Sequence, residues 1–138
     1  MFAYCDNRLI CNLVDEDDVS YIPEEIIEEC VSYIEKTLKS GKKVLINCNE
    51  GRSRSATIGL IYLMKHNLIK GDNFHEILDN YREILPQFNP NLGMLSYARQ
   101  YYDSRNKVEF CKEKIYNAIK LGEIGNEKTN SGNKFRGI

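Results

Sequence analysis

The sequence has little that would draw it to a charged polymer or into a lipid bilayer. Its 19 basic and 20 acidic residues leave a formal net charge of −1, so no bulk attraction to nucleic acid or to an anionic membrane follows. No apolar run approaches the length of a membrane span, and no signal-peptide or lipidation pattern is visible. Histidine is scarce: His66 and His75 fall on helical patterns without partners at ligand spacing and read as surface or capping residues, and the 5 cysteines show no metal-like spacing either. No metal or cofactor is therefore expected. Cys5, Cys11, Cys30, Cys48 and Cys111 are odd in number, which speaks against a disulfide framework and for reduced thiols in a cytoplasm. No internal repeat is present, and 42% hydrophobic with 28% charged residues is ordinary globular composition.

A chain of 138 residues has room for a single core. We expect one domain over residues 1–122 and a polar, flexible tail over 123–138. Residues 8–14, with Leu9, Ile10, Leu13 and Val14, read as a short strand leading into an acidic loop at 15–18. From Pro23, the positions Ile26, Ile27, Cys30, Val31, Ile34 and Leu38 recur at helical spacing, and Gly41 is a stop signal. A second strand follows at 43–48. Strand, helix, strand predicts a parallel pair with a right-handed crossover, which gathers ligands at the carboxyl ends of the strands. The expected fold is α/β, a small mostly parallel sheet flanked by helices. The run 56–64 is apolar nearly all round and reads as a buried central helix. Phe74, Ile77, Leu78, Tyr81, Ile84 and Leu85 mark a helix ended by Pro86. Another starts at Asn89-Pro90 with Leu92, Leu95, Ala98 and Tyr102 inward, and a last one spans 108–121.

The chemistry-bearing stretch is Cys48-Asn49-Glu50-Gly51-Arg52-Ser53-Arg54-Ser55, set between the apolar run Val44-Leu45-Ile46 and the helical run that begins at Ala56. A short loop entering a helix offers free backbone N–H groups at the positive end of the helix dipole, and so can cradle a phosphate. Gly51 lets the backbone turn, and Arg54 adds a planar fork able to bond two phosphate oxygens. The same positive field depresses the pKa of Cys48 and favours its thiolate, toward which Ser55 can donate. A buried structural cysteine would account for Cys48 alone. It leaves two arginines, two serines and a glycine between strand and helix unexplained.

On these residues the sequence resembles the cysteine-dependent dual-specificity protein phosphatases, whose signature is HCxxGxxRS. Every signature position except the first is matched, Asn47 standing where the family has histidine. Asn89-Pro90-Asn91-Leu92-Gly93-Met94 looks like the Pro-Asn-x-Gly-aromatic segment that follows the loop in that class. Asn12-Leu13-Val14-Asp15, Tyr21-Ile22-Pro23 and Cys48-Asn49-Glu50-Gly51 are similar to a phage and bacterial branch. The resemblance covers about residues 7 to 104. It implies a phosphatase of phosphotyrosine, extending to phosphoserine or phosphothreonine, that works through a phosphocysteine on Cys48. Arg54 and loop residues Asn49, Glu50, Gly51, Arg52, Ser53 and Ser55 would hold the phosphate. It also implies phosphorylated proteins as partners. Relatives carry more sheet ahead of Arg8, so an abbreviated amino-terminal sheet is expected, with an exposed edge open to self-association.

The leaving oxygen needs a proton, and in the family an aspartate upstream of the cysteine supplies it. Ungapped spacing selects Asp17, the Asp-x-x-Tyr-Ile-Pro pattern selects Asp18, and Asp15 is a third candidate. Some of these acids must simply cap the next helix or face water. Glu50 should disfavour very anionic substrates, no lysine in the loop offsetting it. Asn47 replaces a hydrogen-bond donor but supplies no positive charge, which would leave the Cys48 pKa higher and turnover slower. The alternative reading is a pseudophosphatase-like module that binds phosphoproteins with little turnover. A rhodanese-type sulfur carrier also uses a cysteine loop but does not call for Arg54-Ser55. Oxidation could bridge Cys48 to Cys11 or Cys30, although buried structural cysteine is the plainer role for both.

Overall fold

The computed structural model describes residues 1–120. The expected tail at 123–138 and the last residue of the expected 108–121 helix lie outside the described residues. The chain divides into two compact units, Met1–Tyr102 and Asp103–Ile138. The first carries the core and the chemistry-bearing loop.

That unit opens on a hairpin of β1 (Phe2–Cys5) and β2 (Arg8–Cys11), antiparallel with Phe2 opposite Cys11 and Cys5 opposite Arg8. Asp6 takes a positive φ of 51° in the two-residue turn, a conformation aspartate tolerates better than most residues. This is the only sheet among the described residues, so the mostly parallel sheet expected from the sequence is not formed. Residues 43–48 run without a strand ladder. Val44 and Ile46 pack on the core while Leu45 is 87% exposed. A central parallel strand needs cover on both faces, and this apolar run has cover on one.

Four α-helices follow among the described residues: α1 (Glu24–Lys39), α2 (Arg54–Lys65), α3 (Phe74–Ile84) and α4 (Leu92–Lys120). Helix α1 follows Pro23, with Glu24 and Glu25 in its first turn and Lys36 and Lys39 in its last, each charge matched to its end of the helix dipole. Its stripe of Ile26, Ile27, Cys30, Val31 and Ile34 is buried. Helix α2 buries Ser55, Ala56, Thr57, Ile58, Leu60, Ile61 and Met64 and is the central element the sequence predicts. Asn73 caps α3 by accepting from the Glu76 amide, and Tyr81 on α3 donates to the Ala56 carbonyl at 2.7 Å. Helix α4 is continuous where two helices were expected, and its buried positions near the start are Gly93, Met94 and Ala98. Leu92, expected to face inward, is exposed instead. The rotation follows from Gly93, which lies so close to the Glu16 carbonyl that a Cβ there would collide with it. No helix among the described residues is long and apolar enough to cross a membrane.

Candidate active site

The segment 43–48 leads Cys48 to the amino end of α2, and the loop between them turns at Gly51 with φ +69°. The turn brings the Gly51 amide to 3.3 Å from Cys48 Sγ, and the first turn of α2 brings Ser55 Oγ to 3.2 Å from the same sulfur. Burial pushes the Cys48 thiol up, but it is outweighed by the Ser55 hydroxyl and the backbone amides of Ser55, Gly51 and Glu50, leaving a pKa of about 7. A large thiolate fraction therefore exists at neutral pH. None of the groups responsible belongs to Asn47, which is exposed.

Arg54 opens α2, one residue before the Ser55 that donates to this thiol. Its Nη1 donates to the Leu13 carbonyl at 3.1 Å, and its Nε lies 3.8 Å from Asp15 Oδ2. The Nε atom is buried and makes no hydrogen bond. The Asp15 carboxylate is its ion-pair neighbour, at a distance too long for a hydrogen bond. Ser53, only 3% exposed, donates to Asp15 Oδ1 at 2.7 Å and accepts from the Asn91 amide at 3.0 Å. Asn91 Nδ2 donates to the Asp15 carbonyl at 2.9 Å, the Asn89 amide to the Arg52 carbonyl at 3.0 Å, and the Gly93 amide to the Glu16 carbonyl at 3.2 Å. The segment 89–93 thus staples the acidic loop to the cysteine loop.

The acidic residues separate by role. Asp15 is the one whose carboxylate meets the cysteine loop. Asp18 accepts from the Ser20 amide at 2.9 Å and caps a short 3₁₀ turn, Val19–Tyr21. The backbone and side-chain bonds to Ser20 hold its carboxyl below the usual range. Asp17 is exposed. Of the remaining loop residues, Asn49, Glu50 and Arg52 are exposed, and Arg52 forms an ion pair with Glu50. The Glu50 charge is therefore offset within the loop, by an arginine rather than a lysine. His66 lies 2.9 Å from Glu35 and His75 3.3 Å from Asp79, each facing a single carboxylate. Sequence reasoning did not assign Asn91 or Gly93 a part in the site. The Asn89-to-Met94 motif was the available signal.

The family described as dual specificity phosphatase, catalytic domain, matches residues 4–104. The chain belongs to this family. Among dual specificity phosphatase relatives, dual specificity protein phosphatase 1 of Arabidopsis thaliana is 31% identical over 100 residues, covering 72% of this chain and 46% of the relative. Dual specificity protein phosphatase 1B of the same plant is 38% identical over 77 residues, 56% of this chain and 44% of the relative. Dual specificity protein phosphatase 1-A of Xenopus laevis is 36% identical over 73 residues, 53% of this chain and 19% of the relative. The chain spans less than half the length of these curated relatives. No solved structure matches it. Within the span matched to the dual specificity phosphatases lie the cysteine loop, the acidic loop and the 89–93 staple.

Proposed function

We propose that the chain is a cysteine-dependent protein phosphatase that hydrolyses phosphotyrosine, and phosphoserine or phosphothreonine, through a phosphocysteine intermediate. The observation that carries this reading is the cysteine loop itself, where the Gly51 amide and the Ser55 hydroxyl both donate to Cys48 Sγ and its thiol is brought to a pKa of about 7. Arg54, six residues on at the start of α2, supplies a cationic donor for a phosphate dianion, since its Nε makes no hydrogen bond with the Asp15 carboxylate 3.8 Å away.

The Cys48 thiolate attacks phosphorus, forming the S–P bond as the P–O bond to the leaving group breaks. Asp15 gives its proton to the departing oxygen. Its carboxylate, 3.8 Å from Arg54 Nε, is within reach of a leaving group on a phosphate held there, whereas Asp18 is committed to its cap. Water, deprotonated by Asp15, then attacks phosphorus and expels the thiolate, which the Ser55 hydroxyl stabilises. Arg54 and the loop amides take up charge on the equatorial oxygens. The Cys48 pKa reaches its low value with an exposed asparagine at position 47, which favours turnover over a binding module.

The test is hydrolysis of aryl and alkyl phosphate monoesters by the full chain. We expect vanadate-sensitive turnover, abolished in Cys48→Ser. Asp15→Asn should lower kcat by roughly 10²–10⁴-fold on alkyl esters and much less on activated aryl esters, whose leaving groups depart without a proton. Asp17→Asn and Asp18→Asn should change kcat little. Phosphopeptide binding without any turnover would overturn the enzyme in favour of the pseudophosphatase, and an Asp17 or Asp18 effect with the same leaving-group dependence would move the acid.

A further inference from the structure

Cys11 ends β2, Cys30 lies on the buried stripe of α1, and their sulfurs are 3.3 Å apart. The Cys48 sulfur has partners of its own in Gly51 and Ser55. We infer that Cys11 and Cys30 are a disulfide-forming pair, a modification site separate from the nucleophile, whose oxidation closes a ring around the acidic loop.

The two sulfurs need to move from contact to a bond of about 2.0 Å, a shift that side-chain rotation can supply. Both partners are held by packing. Cys30 is flanked on α1 by buried Ile26, Ile27, Val31 and Ile34, and Cys11 packs against the same core. The ring would run from residue 11 to residue 30. Inside it lie Leu13, whose carbonyl holds Arg54, and Asp15, whose carboxylate faces both Ser53 and Arg54. An oxidised pair therefore anchors both ends of the segment that completes the phosphate site.

Exposure decides the order of events. Cys11 is partly exposed and Cys30 is buried, so an oxidant from solvent meets Cys11 first. Burial, and then the hydrogen bond with Cys11, push the Cys30 thiol well up, which also unfits it as the first nucleophile. With a small-molecule disulfide such as oxidised glutathione, the Cys11 thiolate attacks one sulfur and expels a thiolate, leaving a mixed disulfide on Cys11. Cys30 then loses its proton to solvent and attacks Cys11 Sγ, expelling the second small thiolate. Two protein thiols lose two electrons, and one small disulfide becomes two thiols.

The test equilibrates the reduced full chain with glutathione redox buffers, traps free thiols by alkylation and maps the peptides by mass. We expect a Cys11–Cys30 cross-link, with Cys48 trapped separately. We also expect a Tm higher by about 5–10 °C in the cross-linked form, since the bond restricts the unfolded chain. Cys11→Ser, at a half-exposed position, should fold and show neither cross-link nor Tm shift, and Cys30→Ala should also prevent the cross-link. Three results would overturn the inference: both thiols remaining alkylatable after Cys48 has oxidised, either one bridged to Cys48, or glutathione resting on Cys11 without transfer. Thiol mapping needs no turnover, so this outcome is independent of the phosphatase test.

Discussion

Ser55 stands 3.2 Å from Cys48 Sγ and is one of the groups that bring that thiol to a pKa of about 7. Because a lowered thiol pKa enlarges the thiolate fraction, the rate of Cys48 alkylation by iodoacetamide should rise tenfold per pH unit below about 7 and level off above it. Ser55→Ala removes one hydrogen bond to a charged acceptor, worth roughly 1.5–3 kcal/mol, so the midpoint should move up by about one to two pH units. An unchanged midpoint would assign the shift to the loop amides alone. At this scale Cys48 and Arg54 stood out in the sequence, since a thiol and a guanidinium at fixed spacing before a helix have few other uses. The acidic residues were not. Asp15, Asp17 and Asp18 have the same chemistry, and only the bonds to Ser53 and Ser20 tell them apart.

Among the elements, the start of α4 has the widest influence on the site, because its Gly93 lies against the Glu16 carbonyl while Asn91 holds both Ser53 and Asp15. Gly93→Ala would drive a methyl group into a carbonyl that is already hydrogen-bonded to residue 93. We expect a loss of about 1–3 kcal/mol in a denaturant titration. Displacing the acidic loop by an ångström should also lower kcat by roughly 10²-fold while Cys48 alkylation stays normal. A variant that loses stability but keeps its kcat would show that the loop does not depend on this contact. Helices α1 to α3 were legible because apolar spacing reports burial directly, as in Ile26 to Ile34 of α1, whereas the two helices expected after Pro86 form the single α4. The sheet was not. Residues 43–48 have the apolar content of a buried strand, but content cannot reveal that Leu45 would find no cover, nor that residues 2–5 would pair with 8–11.

For the molecule as a whole, a net charge of −1 conceals an uneven field. Residues 15–18 are all acidic, and Asp15 reaches the cysteine loop, while the loop's own Glu50 and Arg52 neutralise each other. Phosphopeptides with lysine or arginine beside the phosphoresidue should show a lower KM than acidic ones. The difference should shrink between 0.05 and 0.5 M salt as the screening length falls below about 10 Å. Equal KM values at low salt would mean that the acidic loop is not felt by the substrate. The bond from Asn91 to Asp15 joins positions 76 residues apart. During synthesis from the amino terminus, at roughly 5–20 residues per second, Cys48, Arg54 and the acidic loop all leave the ribosome before the segment that fastens them. On the proposed function, a nascent chain should therefore hydrolyse no phosphate ester until residue 93 has emerged, and an unfinished polypeptide would leave the proteins around it untouched.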